Sequence, residues 1–285
     1  MSALAVAKKD FKRARRSRAL WAAGTLLAMV AALLVFGYQG YRMPPSEEAL
    51  QAFRMLATML AAVLPIVALV AGYLAVAGER ESGGIKFLLG FPNTRRDVVV
   101  GKLGSRLGVV AVGVTLLFAA AASMSLARHG TLPLVPAVGL FALTLVYGSV
   151  FVTLAVALSA SVAARSRAIG AAVGAYLLLV VLYVAPAVRI PDLVRWVHHT
   201  MLGNAENPHL YSAVTYTSPF TAYRKAVNLV FPGRQRVFRA VETGGPDSMA
   251  DLPVYLTDEF ALVVFAIWLV VPIVLGYLRF QGSDL

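Results

Sequence analysis

The sequence predicts an all-α membrane protein with six transmembrane helices. Composition is the first sign: of 285 residues, 59% are apolar and only 14% charged, and the mean hydropathy is +0.74. A soluble domain averages about 45–50% apolar and about 25% charged, so this chain lacks the polar side chains to cover a water-exposed surface. Second, six stretches reach the roughly 20 apolar residues needed to cross a hydrocarbon layer about 30 Å thick. Third, those stretches hold no Asp, Glu, Lys, Arg or His, so all 26 basic and 14 acidic residues lie in connections and tails.

The predicted spans are Leu20–Tyr38, Met55–Gly78, Leu107–Ala127, Leu132–Ala164, Ala168–Val188 and Phe260–Leu278. The fourth is long enough to begin at the interface, and Pro133 and Pro136 suit its first turn. Pro65, Pro186 and Pro272 can kink their helices, while Gly108, Gly113, Gly170 and Gly174 permit close helix approach. The first span reads as an uncleaved anchor. Its apolar run is nearly of membrane length, and Gln39–Pro45 offers no small-x-small cleavage site.

Lys and Arg in short connections set orientation. Residues 1–18 carry Lys8, Lys9, Lys12, Arg13, Arg15, Arg16 and Arg18; the second connection carries Arg80, Lys86, Arg95, Arg96, Lys102 and Arg106. Arg165, Arg167 and Arg279 lie on the same side, against Arg42, Arg54 and Arg128 on the other. Both termini are therefore expected in the cytoplasm of a multi-pass plasma-membrane protein. The net charge of +12 follows this placement beside apolar spans, where it meets anionic lipid. A nucleic-acid module would instead need a folded basic face with stacking aromatics.

Before the first span, residues 3–18 have a helical pattern. Ala3, Leu4, Val6, Ala7, Phe11 and Ala14 can share a face, with cations around the rest. This predicts a helix lying in the headgroup plane with Phe11 as its anchor. Residues 189–259 form the one sizeable water-facing segment, rich in aromatics. They are too many for a bare turn and predict an extracellular cap or re-entrant helices. Within them Ser218-Pro219 reads as a helix start for Phe220–Phe231.

The connection after the second span is the most distinctive. A charged helix end (Glu79, Arg80, Glu81) meets a glycine break at Gly83 and Gly84, then a short amphipathic helix from Ile85 to Leu89. Pro92 and Asn93 turn the chain; Thr94 can cap the next helix, with Asp97 three residues on as in a capping box. Ile85, Phe87, Leu88, Leu89 and Phe91 thus form an apolar knuckle on a charged base, the kind of exposed patch that marks a partner site.

Several chemistries lack their residues. Cys is absent, which removes disulfides and thiolate chemistry. Gly101-Lys102 is followed by Leu103, and no G-x-x-x-x-G-K-[ST] occurs, so the chain has no phosphate-cradling loop and is not expected to be an enzyme. Ion-coupled transporters place ionisable groups inside the membrane, and the spans have none. Ser149 lacks a basic partner, so it reads as a packing serine. His198 and His199 are adjacent without an i,i+4 mate, which disfavours a metal site. His129 and His209 read as solvated.

The ordered motifs resemble one family. Glu-x-Gly, an apolar run, Pro-x-Thr-Arg-Arg and Gly-Lys (Glu81–Lys102) look like the coupling region of ABC-2 type transporter permeases, the membrane subunits of type-2 ABC exporters. Ala7–Arg18, with Asp10 and Arg16-Ser17-Arg18, is similar to that family's N-terminal elbow helix; Ser218–Arg224 is similar to a motif of its extracellular loop. Gly84 departs from the pattern, which usually continues the helix there. The resemblance covers the whole chain as a single permease domain: elbow at 1–18, coupling region at 79–106, extracellular segment at 189–259.

It implies a permease working as a dimer, homodimeric or with a similar permease, on two cytoplasmic ATPase subunits that hold ATP and Mg and drive cargo outward. Ile85, Lys86, Phe87, Leu88, Leu89, Phe91 and Pro92, beyond the break at Gly83, would dock in a groove of the ATPase. Glu79 and Glu81 would lie near the membrane-proximal entry, and Arg95 and Arg96 near headgroups or the ATPase surface. Lys8, Lys9, Phe11, Lys12, Arg13, Arg16 and Arg18 would hold the elbow to the membrane. The alternative is a membrane scaffold or sensor coupled to an ATPase but moving no cargo.

Overall fold

The computed structural model describes residues 3–85, 94–184, 189–231 and 253–282. Among them every regular element is helical. Helix α1 (Ala3–Arg15) leads through Ser17, whose side chain accepts from the Leu20 N–H, into α2 (Arg18–Gly37). Next come α3 (Pro45–Gly72), the short α4 (Ala77–Glu81), α5 (Arg95–His129) and α6 (Leu134–Ser161). Helix α7 (Arg165–Tyr176) passes through a π-helical turn (Leu177–Val181) into a last α turn (Leu182–Val184). Beyond it lie α8 (Ile190–Arg195, running into a π-helical turn at Trp196–Met201), α9 (Pro208–Tyr216), α10 (Pro219–Val230) and α11 (Phe260–Gln281).

Among the described residues, five helical stretches are long and apolar enough to cross a membrane: Leu20–Gly37, Pro45–Glu81, Arg95–His129, Leu134–Ser161 and Phe260–Gln281. They correspond to five of the six predicted spans. The sixth, predicted at Ala168–Val188, is helical as far as Val184 but interrupted by the π turn, and residues 185–188 lie outside the described residues. Two spans outgrow their apolar cores. Helix α3 starts at Pro45, well before Met55, because Pro45 suits the first position and Glu47 and Glu48 face the positive end of the helix dipole. Helix α5 has 35 residues, about 52 Å at 1.5 Å per residue, so its first turns stand outside a hydrocarbon layer about 30 Å thick. The predicted Thr94–Asp97 capping box starts it, and Gly130, at φ 67°, ends it in a left-handed cap.

Helix α6 is the centre of the bundle, packed by α3, α5, α10 and α11, with Leu134, Val135 and Val138 of its first turns left exposed. Small residues allow the close crossings. A Cβ on Gly276 would lie 2.7 Å from the Ala157 Cα and carbonyl oxygen, and one on Gly72 2.7 Å from the Ala155 Cβ. Midway along α6, Tyr147 is fully buried and donates to the Ala61 carbonyl at 2.7 Å. It stacks on Tyr223 of α10 at 4.2 Å between centroids, the rings inclined by 19°. Helix α10 therefore packs against the middle of α6. Its predicted start holds: Ser218 accepts from the Phe220 N–H and donates its hydroxyl to the Leu179 carbonyl at 2.5 Å. That carbonyl belongs to the π turn, where the regular α-helical bonding is interrupted.

One minor expectation fails. His129 is buried rather than solvated, its Nε2 3.1 Å from the Val35 carbonyl and its Nδ1 3.3 Å from Glu48. The early start of α3 brings Glu48 to it. His209 is exposed, as expected.

Candidate functional site

The ends of α1, α4 and α5 meet where the basic connections gather, and their charges form one junction. Asp10 and Lys102 are 5% and 3% exposed, so the two charges are out of water and need each other. Lys102 Nζ donates to Asp10 Oδ1 at 2.7 Å and to Glu79 Oε1 at 2.8 Å, joining α1, α4 and α5 at one nitrogen. Arg106 Nη2 lies 3.1 Å from Asp10 Oδ2 but outside hydrogen-bond geometry, so it contributes charge rather than a directed bond. Burial raises the Asp10 carboxyl, but Lys102 and Arg106 outweigh it and hold it below its ordinary value of 3.8. At the rim, exposed Arg13 reaches Glu79 at 3.5 Å.

Glycine lets these helices close on one another. A Cβ on Gly101 would lie 2.7 Å from the Ala3 carbonyl oxygen and the Val6 Cβ. The Gly104 position faces Ala7 at 3.9 Å, and the Gly108 position faces the Phe11 ring at 3.2 Å. Contacts therefore advance together along both helices, and α1 runs beside the protruding base of α5. A helix lying flat in the headgroup plane would cross α5 instead. Val6 and Ala14 are buried, Phe11 half-buried against Gly108, and Leu4 is exposed. The predicted apolar face is thus used largely on protein.

A second set of contacts ties this junction to α6, α7 and α11. The chain leaves α3 through a non-helical turn at 73–76, and the Val76 and Ala77 N–H groups it frees both donate to Ser159 Oγ at 3.0 Å. Arg80 donates to the Ala160 and Val162 carbonyls at the end of α6, at 3.5 and 3.4 Å. Arg95 donates to the Phe280 and Gln281 carbonyls at 2.6 and 2.8 Å, satisfying the orphan carbonyls that end α11. The Phe280 ring is fully buried, with the Arg80 and Arg95 guanidinium groups 5.9 and 5.5 Å from its centroid. Glu81 accepts from the Arg165 N–H at 2.5 Å at the start of α7.

Among the residues predicted to act here, Glu79, Glu81 and Arg95 take part in this framework. Gly83, at φ 71°, makes the expected break in a conformation that glycine adopts without cost. Ile85 is buried with Val76, Val98, Val99, Ala160 and Phe280 rather than presented outward, and Arg96 is exposed. Lys86, Phe87, Leu88, Leu89, Phe91 and Pro92 lie outside the described residues. On α1, Lys8, Lys9, Lys12 and Arg13 are exposed, as are Arg16 just after it and Arg18 at the start of α2. Lys102 and Arg80 stand within the quoted motifs without an assigned role, and Ser159 stands in none. Buried Asp10 and half-buried Glu79 in basic surroundings are the signal that a cation sits between them.

The site is thus a mechanical junction. It fixes the chain on both sides of residues 86–93 to the ends of α1, α6, α7 and α11, and it contains no nucleophile–base pair. Comparison with known proteins agrees with a membrane-transport role. The family described as ABC-2 family transporter protein matches residues 4–285. The probable ABC transporter permease protein NosY of Stutzerimonas stutzeri is 28% identical over 287 residues, covering 97% of this chain and 96% of that protein. Its namesake from Pseudomonas aeruginosa is 28% identical over 260 residues, covering 87% of each. The chain therefore belongs to the ABC-2 transporter family as a multi-pass membrane subunit.

Proposed function

We propose that this chain is the permease subunit of an exporter, moving cargo outward across the cytoplasmic membrane with energy from separate ATPase subunits. Two such subunits would bind ATP and Mg and clamp residues 85–91, and a second permease copy would complete the pathway. The basic connections support a cytoplasmic position for the junction and both termini. Helix α7, continued through residue 188, would be the sixth span.

One observation carries the mechanism: a single buried ammonium, Lys102, bonds Asp10 of α1 and Glu79 of α4 at once. When the ATPases close, a push on residues 85–91 reaches Glu79 and Glu81 from one side and Arg95 from the other. A buried ion pair resists separation, because pulling either charge away leaves the other desolvated. The displacement therefore moves α1, α5 and the end of α11 together and rocks the spans about the dimer axis. The spans supply packing and a pathway, while the chemistry is done by the partner.

Co-purification with an ABC-type ATPase tests this. Phe87→Asp and Leu88→Asp are expected to abolish it while the permease still folds and inserts. If both variants bind the ATPase and stimulate its turnover as wild type does, the docking assignment is wrong. An intact, ATP-hydrolysing complex that moves nothing across vesicles would favour the scaffold reading.

A further inference from the structure

A groove opens between α1, α2 and α5 just beyond the ion-pair junction. Phe11, Trp21, Val112 and the open faces of Gly24 and Gly113 line it, with Arg15 at its mouth. Its lining is almost wholly apolar. No atom stands within 4 Å of where a Cβ on Gly24 or Gly113 would sit, so the glycines leave room rather than allow a tight helix contact. The Trp21 indole N–H donates to the Arg15 carbonyl at 2.7 Å, which pins the α1–α2 corner and keeps the groove open along one side.

Arg15 stands at the mouth, within a strongly basic stretch of the chain. Lys8, Lys9, Lys12, Arg13, Arg15, Arg16 and Arg18 are all exposed, and among the described residues only Arg13 has a carboxylate partner. A ligand suited to this place carries an anionic head at the corner and an apolar chain running inward along α5. Acidic proteins and nucleic acids offer the first feature without the second. Neutral lipid offers the second without the first. We infer that this groove is a binding site for one anionic phospholipid of the inner leaflet, its phosphate among Arg15, Arg16 and Arg18 and an acyl chain against Val112 and Gly113. The inference rests on the cytoplasmic placement of the basic end proposed above. The lipid would wedge the elbow against α5 and so set the position of Asp10.

Trp21 is a built-in reporter. In the Trp196→Phe/Trp268→Phe background it is the only tryptophan, and acyl-brominated phosphatidylglycerol or phosphatidylcholine can be titrated into vesicles as a contact quencher. Phosphatidylglycerol should quench at a mole fraction roughly fivefold lower than phosphatidylcholine, the ratio one cation is worth at an anionic surface. The triple variant Arg15→Gln/Arg16→Gln/Arg18→Gln should bring the two lipids to near parity, and Gly113→Leu should remove the saturable component for both. Equal quenching by the two lipids would overturn the site. So would a preference untouched by both variants, or a Trp21 that neither lipid reaches because another protein surface covers it. Co-purification with the ATPase, followed in the same preparations, separates the two ideas: a failed lipid preference with intact ATPase binding removes the groove and leaves the proposed function standing.

Discussion

The account turns on Lys102. Among the described residues, its ammonium alone touches both Asp10 and Glu79, and it does so out of water. Removing one partner of a buried ion pair costs about 3–5 kcal/mol, because the abandoned charge stays desolvated. Lys102→Met should therefore lower thermal stability by about that amount. The double variant Asp10→Asn/Lys102→Met should lose less than the sum of the single changes, which a double-mutant cycle followed by thermal unfolding measures. The pH dependence has a definite sign. The Asp10 carboxyl is held below 3.8, so its contribution is present above that value and lost only as pH falls through the lower folded value. A distance probe between α1 and α5 should stay constant from neutral pH down to about pH 4 and lengthen only below that. The acids were visible in the sequence as Asp10 and Glu79 among many cations. Which cation answers them was not, because Lys102, Arg106, Arg80 and Arg95 are chemically alike in sequence and only the register of α1 on α5 selects among them.

At the level of elements, pattern carried furthest where local chemistry decides. The Thr94–Asp97 box and the Ser218-Pro219 start are both present, since a cap is settled by residues three apart. Ser218 also bonds the π turn of α7 across the bundle, a contact no local pattern contains. Ser218→Ala should cost about 1 kcal/mol for the cap and further strand the Leu179 carbonyl, and hydrogen exchange in α10 should rise with it. The α11–α6 crossing depends on glycine. Gly276→Leu would drive a side chain into the Ala157 backbone and should cost about 1–3 kcal/mol as overpacking, read as a lower melting temperature. Hydrophobic pattern misled most on α1. It located the apolar face correctly but not what covers it, because a stripe of alanines and valine suits a glycine-lined helix as well as a lipid surface.

For the molecule as a whole, uncharged spans and charged ends divide the work. Composition alone made a membrane bundle legible, since six apolar stretches without ionisable groups have few other fates. It could not show that charge would close a junction on the basic side, because that requires α4 and the first turns of the long helix α5 to meet α1 there. The central claim is that this junction passes force from an ATP-hydrolysing partner to the spans. Stimulated ATP turnover in proteoliposomes, measured with an ABC-type ATPase partner and each permease variant, tests it most directly. The account predicts that Phe87→Asp fails to bind the ATPase, while Lys102→Met binds it but no longer stimulates turnover. If Lys102→Met stimulates turnover as wild type does, the junction does not couple the ATPase to the spans.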